Sequence, residues 1–123
     1  MLLLDTSFLI EFEDELAVRR TGPACAILAS RRNAPVAISV IALGEFAEGY
    51  TDVVAFNAFV SRFRVIQLSR AIAWRTGLLQ SSLPQRLGEN DAWIAATALA
   101  YGATLVAREK AFTRVPRLNY LEF

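Results

Sequence analysis

The chain has no histidine among its 123 residues. That absence removes Ser-His-Asp and Cys-His arrangements, histidine-ligated zinc and imidazole acid–base chemistry. Any catalysis therefore falls to carboxylates, hydroxyls or a bound ion. A single cysteine, Cys25, cannot close an internal disulfide. Its setting, Ala24-Cys25-Ala26-Ile27-Leu28, reads as that of a small buried hydrophobe. Lysine is almost missing as well, since Lys110 is the one basic residue that is not an arginine. Arginine is the planar, bidentate phosphate donor, so the bias leans toward phosphate contacts or ion pairs, although a GC-rich coding sequence produces the same bias. The net charge of +1 does not by itself point to nucleic acid.

Long apolar runs are also absent. The nearest approach to the roughly 18 uncharged residues of a membrane span, Ala92 to Ala107, is broken by Gly102. Asp5 interrupts the apolar start before any cleavage-site pattern, so no signal peptide is expected. Repeats, low-complexity segments and linkers do not appear. A hydrophobic content of 54% with mean hydropathy +0.35 is ample for a sizeable core and argues against disorder. The expectation is one soluble, cytoplasmic domain spanning residues 1–123, with no membrane partner.

What is present is organised around Leu2-Leu3-Leu4-Asp5-Thr6-Ser7. Three apolar residues without alternation read as a short strand buried on both faces, as in the middle of a parallel sheet. The strand ends in an acid, and open α/β sheets hold ligands beyond the carboxyl ends of their strands. Asp5 is thus either a site residue or simply a turn or capping acid, with Thr6 and Ser7 capping the helix that carries Phe8, Leu9 and Phe12. The acidic run Glu11-Phe12-Glu13-Asp14-Glu15 reads as a solvated helix end.

Further along, Pro23 opens a second helix that closes on Arg31-Arg32. Val36-Ala37-Ile38-Ser39 is a second strand, with Ser39 capping a helix from Val40 to about Tyr50. On that helix Glu45 shares a face with Ala42, Phe46 and Gly49, which turns it toward the body of the protein, while Glu48 lies outside. Phe56, Phe59, Val60 and Phe63, at helical spacing, form a stripe that reads as core or as partner surface. Val65 to Leu68 is a third strand, and Ser69 begins a helix with Ile72, Ala73, Thr76, Leu79 and Gln80. The loop Leu83 to Glu89 precedes Asn90, read as the cap of a helix that runs from Asp91 to the Gly102 stop. Asp91 lies on the sheet-facing stripe of that helix, although a carboxylate there also complements the helix dipole. Thr104 to Ala107 is a fourth strand, with Arg108-Glu109 just past its end, and Leu118 to Leu121 is a final one. Strands alternating with helices predict a three-layer α/β/α sandwich on a mostly parallel sheet.

Four acids stand out: Asp5, Glu45, Asp91 and Glu109. Gathered in one crevice, they cannot all stay ionised without a cation, because close like charges raise one another's pKa. A hard divalent ion with oxygen ligands resolves the conflict, and Mg²⁺ brings phosphate with it as the usual substrate partner. Such ions serve phosphodiester hydrolysis.

At these residues the chain resembles the PIN-domain ribonucleases, specifically the VapC-type toxins of toxin–antitoxin pairs. The resemblance rests on Leu4-Asp5-Thr6-Ser7, on Glu45 followed by Gly49, and on Asn90-Asp91 leading into Ile94-Ala95-Ala96-Thr97-Ala98-Leu99. Gly102-Ala103-Thr104-Leu105-Val106 and Phe112 with Arg114-Val115-Pro116 and Leu118 continue it. It implies a PIN-like fold and a homodimeric, Mg²⁺- or Mn²⁺-dependent endoribonuclease acting on RNA, inhibited by a VapB-like antitoxin encoded beside it. Asp5, Glu45 and Asp91 match the family's metal-binding acids. In the implied roles Asp5 and Asp91 hold the main ion, Glu45 orients or deprotonates the attacking water, and Glu109 completes the shell. Thr6 and Ser7 either hydrogen-bond a ligand carboxylate or bound water, or cap the first helix.

The carboxyl-terminal motif departs from the family. Ala107 stands where threonine is common, Glu109 where Asp or Asn is usual, and Ala111 where an acid often precedes the phenylalanine. Two other readings stand beside the nuclease. A degenerate PIN domain would bind a partner without cutting, and the altered region around Glu109 is its sequence support. Another phosphoryl-handling α/β domain is the second; a haloacid-dehalogenase-type phosphatase would want Asp where Ser7 stands.

Overall fold

The computed structural model describes residues 1–123. Five short strands, β1 (Leu2–Leu4), β2 (Val36–Ser39), β3 (Arg64–Ile66), β4 (Thr104–Ala107) and β5 (Asn119–Glu122), form one sheet in the order β3-β2-β1-β4-β5. Every neighbouring pair is parallel, with Leu3 opposite Ala37 on one side and Leu105 on the other. Six helices connect them: α1 (Thr6–Ala17), α2 (Pro23–Ser30), α3 (Val40–Ala47), α4 (Val53–Val60), α5 (Arg70–Ser82) and α6 (Glu89–Tyr101). A 3₁₀ helix spans Lys110–Arg114.

The strand period of two splits the apolar residues into two cores. Leu3, Ala37, Leu105 and Ala107 face one way, onto α5, α6 and Phe112. Leu2, Leu4, Ile38 and Val106 face the other, onto the aromatic residues Phe8, Phe12, Phe59 and Phe63. This is the expected three-layer sandwich. Helix α3 crosses the end of the sheet and serves both cores, with Ala42 in one and Phe46 in the other. On α6 the small side chains Ala92, Ala95, Ala96 and Ala98 are fully buried, which lets its backbone lie close to its neighbours.

Several boundaries and caps differ from the sequence reading. Ser39 and Ser69 do cap, accepting from the backbone N–H of Ala42 and Ile72, and Gly102 takes the left-handed φ of 59° that ends α6. Helix α3 stops at Ala47, about three residues early, and β3 begins at Arg64 rather than Val65. Asn90 does not cap α6, because the helix starts two residues earlier, at Glu89, with Gly88 at the cap position. Thr6 and Ser7 lie inside the first turn of α1, after Asp5 at the cap position. Cys25 is half-buried.

Glu15 is the clearest correction. It is fully buried rather than solvated. Its Oε1 accepts from the N–H of Gly22 (2.9 Å) and Cys25 (2.8 Å), and its Oε2 from Ala24 (2.9 Å). These are otherwise orphaned donors at the start of α2, so a carboxylate from α1 caps its neighbour. The three N–H groups outweigh burial and hold its carboxyl down at about 2.

Candidate active site and metal centre

The sheet order reverses at β1. The chain builds outward through β2 and β3, then returns to add β4 and β5 on the other side of β1. Beyond the carboxyl ends of β1 and β4 such a reversal leaves a crevice. Asp5 stands there, its backbone N–H donating to the Val106 carbonyl at 3.0 Å. The side chain is 7% exposed. Burial pushes its carboxyl up, and the Glu45 charge adds to that, while hydrogen bonds from Thr6 and Ser7 oppose it.

Neither hydroxyl of the first turn caps α1. Ser7 Oγ donates to Asp5 Oδ2 at 3.1 Å and accepts the Arg108 backbone N–H at 3.1 Å. Thr6 Oγ1 donates to Glu45 Oε1 at 2.8 Å. The other oxygen of Glu45 accepts from Asn90 Nδ2 at 3.3 Å. Three elements far apart in sequence, α1, α3 and α6, are thereby joined at one half-buried carboxylate. Asn90, expected as a cap and quoted only as part of the Asn90-Asp91 motif, is thus a functional candidate; its place beside Asp91 was the available signal.

Asp91, in the first turn of α6, is half-buried. Its carboxyl is pushed up to about 6, first by burial and then by the charges of Asp5, Glu109 and Glu45. Every charge acting on it is negative. Asp5, Glu45 and Glu109 thus all act in the same direction on Asp91. Their geometry is looser than their field, since no three carboxylates stand at metal-holding spacing.

Glu109 sits apart at the rim. It is exposed, and its Oε1 accepts from the Ala111 N–H at 3.1 Å, capping the 3₁₀ helix. Its backbone is tied by Tyr120, whose hydroxyl accepts from Glu109 N (3.1 Å) and lies 3.1 Å from the Ala107 carbonyl and 3.0 Å from that of Glu109. By its sequence Tyr120 is simply a residue of the last strand.

The donor set suits a hard divalent ion. It is made of carboxylate oxygens, free of imidazole and thiolate, and its buried members carry raised pKa values that a cation would relieve. Magnesium keeps several waters and is held through one or two protein carboxylates, so it does not require three of them at ligand spacing.

The comparisons agree with the fold. Residues 2–118 match the PIN domain. The chain is 34% identical over 98 residues to Ribonuclease VapC2 of Rickettsia felis, covering 71% of this chain and 73% of that protein. Among solved structures it is similar to VapBC2 from Rickettsia felis bound to a DNA fragment from their promoter, with TM-score 0.80 and 26% identity. That match covers 99% of this chain and 98% of the other. A toxin–antitoxin complex from Klebsiella pneumoniae matches with TM-score 0.75 and 28% identity over 96% and 95% of the two chains. The five-stranded parallel sheet, the acids at its reversal point and a match spanning nearly the whole chain agree, and the chain belongs to the PIN-domain family.

Proposed function

We propose that the chain is a divalent-metal-dependent endoribonuclease, the toxin of a toxin–antitoxin pair, folded as one domain over residues 1–123. The observation that carries the reading is Asp91, half-buried at the sheet reversal with Asp5, Glu45 and Glu109 as its charged neighbours. The similarity to Ribonuclease VapC2 supports the same activity.

Asp5, Glu45 and Asp91 would hold Mg²⁺ or Mn²⁺, with Glu109 as the fourth, rim ligand. When bound, the ion supplies Lewis-acid stabilisation of charge on the scissile phosphodiester and lowers the pKa of water. The chain's own residues do the rest. Ser7 fixes the Asp5 carboxylate, and Thr6 and Asn90 fix the two oxygens of Glu45. Glu45, so held, orients a water toward phosphorus and takes its proton as the new P–O bond forms and the bond to the leaving sugar oxygen breaks.

The partner surface lies beside this site. A groove of about 290 Å³ is lined by Ala47, Tyr50, Thr51, Asp52, Val53 and Phe56, and Val53 and Val54 are 67% and 72% exposed. Asp52 lines the groove, and Glu13, bonded to Tyr50, adjoins it. An antitoxin segment that pairs apolar residues with an arginine fits these features. On α5, Trp74 and Leu78 offer an exposed apolar stripe to a second copy, in keeping with a homodimer. No helix is long and apolar enough to cross a membrane.

The test is RNA cleavage by the purified chain in Mg²⁺ or Mn²⁺, with and without the small protein encoded beside it. Cleavage that needs metal and is silenced in a stable complex supports the whole reading. A nuclease indifferent to that neighbour removes the toxin–antitoxin part, and no cleavage in either metal favours the non-catalytic domain that the capping role of Glu109 would suit.

A further inference from the structure

The four candidate ligands are acids, and Arg108 beside them turns its guanidinium to the Phe123 carbonyl and ring, so an RNA backbone needs positive charge from elsewhere on the surface. The chain distributes its charge unevenly. Residues 1–52 carry eight acids and four arginines, whereas residues 53–123 carry four acids and nine cations. No acid lies between Asp52 and Glu89, a stretch holding five arginines. Only one ion pair forms in the molecule, Arg20 with Glu11, so the arginines of the second half are not spent on carboxylates.

The fold brings two of them into contact and sets two more along one groove. Arg114 Nη2 donates to the Arg86 carbonyl at 3.3 Å, which joins the end of the 3₁₀ helix to the loop before α6. That contact lies between the two elements that carry Glu109 and Asp91. Arg75 and Arg117 line one groove of about 280 Å³, whose walls include Leu78 of the exposed α5 stripe, Leu79, Ser82, Leu99 and Pro116 and no acid. All four arginines are exposed. Arg117 is held at a left-handed φ of 67°, a conformation glycine or asparagine would take at less cost.

We propose that Arg86, Arg114, Arg117 and Arg75 form a track that grips the phosphates of single-stranded RNA as it leaves the carboxylate crevice. The inference rests on the nuclease reading and adds where the substrate runs: along the α5 and 3₁₀-helix flank, away from the acidic side that suits the antitoxin. Guanidinium groups match phosphate bidentately, and the apolar groove walls tolerate any base, so the grip is independent of sequence. Arg75 adjoins the Trp74 stripe, so a second copy of the chain is the competing occupant of its end of the track.

The experiment is fluorescence anisotropy of a labelled single-stranded RNA 12-mer with the full chain, using Ca²⁺ in place of Mg²⁺ and salt as the variable. The triple variant Arg75→Gln, Arg86→Gln, Arg117→Gln leaves Arg114 to hold the loop. It is expected to bind at least tenfold more weakly and to flatten the log K against log[salt] slope by about 2, at roughly 0.7 per lost phosphate contact. In Mg²⁺ its KM should rise with kcat nearly unchanged. Arg31→Gln, Arg32→Gln, at the end of α2, is the control and should bind normally. Unchanged binding by the triple variant, equal loss in the control, or a shift from dimer to monomer in sedimentation with RNA affinity intact would overturn the track. An unmutated chain that binds RNA with the expected slope but cuts nothing leaves the track standing and removes the nuclease reading instead.

Discussion

Thr6 Oγ1 reaches Glu45 Oε1 at 2.8 Å across 39 positions of sequence, and Asn90 holds the other oxygen of the same carboxylate. A carboxylate that must orient water depends on such partners, whose loss typically costs 10–100-fold in metallo-sites. Thr6→Val keeps the shape and removes the hydroxyl. We expect its kcat to fall about tenfold and Thr6→Ser to restore most of it, with the melting temperature nearly unchanged; a Thr6→Val enzyme of full kcat would leave the hydroxyl without a role in positioning Glu45.

Asp91 and Glu15 shift in opposite directions and so make opposing contributions to the pH dependence of the metal-free protein, with the raised carboxyl of Asp5 adding to the Asp91 side. Asp91 is raised from 3.8 to about 6, so folding favours its protonated form. Its contribution is full at low pH and is lost as pH rises through 6, on the order of 1–2 kcal/mol after allowance for solvent screening. Glu15 is lowered from 4.5 to about 2, so its contribution is present above 4.5 and is lost as pH falls toward 2. Stability without metal should therefore peak near pH 4–5 and decline on both sides. Thermal unfolding in EDTA across pH 2–8 checks this, with Asp91→Asn flattening the upper limb and Glu15→Gln the lower one.

These two acids also show what the sequence could and could not convey. Leu2-Leu3-Leu4 and Thr104 to Ala107 are unbroken apolar runs, so a buried parallel sheet was legible, and Asp5 followed from standing at the end of a strand. Asp91 and Glu45 were legible as acids on apolar helix faces. Glu15 was not, because its local surroundings are an acidic run and its partners are backbone N–H groups of the next helix, which leave no trace in residue type. The role of Asn90 was hidden by a two-residue shift in where α6 begins. That shift turned an expected cap into a partner of Glu45.

Gly22 is bound to Glu15 by space as well as by a hydrogen bond. A Cβ there would stand 2.6 Å from both Cδ and Oε2 of the buried carboxylate. Gly22→Ala should force the carboxylate off its three donors and destabilise the fold by about 1–3 kcal/mol. Glu15→Gln, which sets an NH₂ against an N–H, should cost a similar amount. Urea unfolding measures both, and wild-type midpoints would show that the α1–α2 cap contributes nothing.

Glu109 should prove the most expendable of the four acids. Its carboxylate reaches about 1.5 Å farther than the usual aspartate, against the near-ideal octahedral shell Mg²⁺ requires. It is also exposed and engaged with Ala111 N. Mn²⁺ binds such sites more tightly than Mg²⁺ would. Activity in both metals with preference for Mn²⁺ is expected, and Glu109→Ala should lose less than Asp5→Asn; equal loss at saturating metal would make Glu109 a primary ligand.

The central claim is that RNA hydrolysis depends on the buried carboxylate at the end of β1, and cleavage of end-labelled RNA by Asp5→Asn at saturating Mn²⁺ tests it most directly. The substitution removes a negative ligand while nearly preserving shape, and it relieves the crowding that raises the pKa of Asp91. The account predicts a rate lower by orders of magnitude in a folded protein whose metal-free melting temperature is equal to or above that of the unmutated chain. Cleavage at the unmutated rate, with contaminating nuclease excluded, would contradict it.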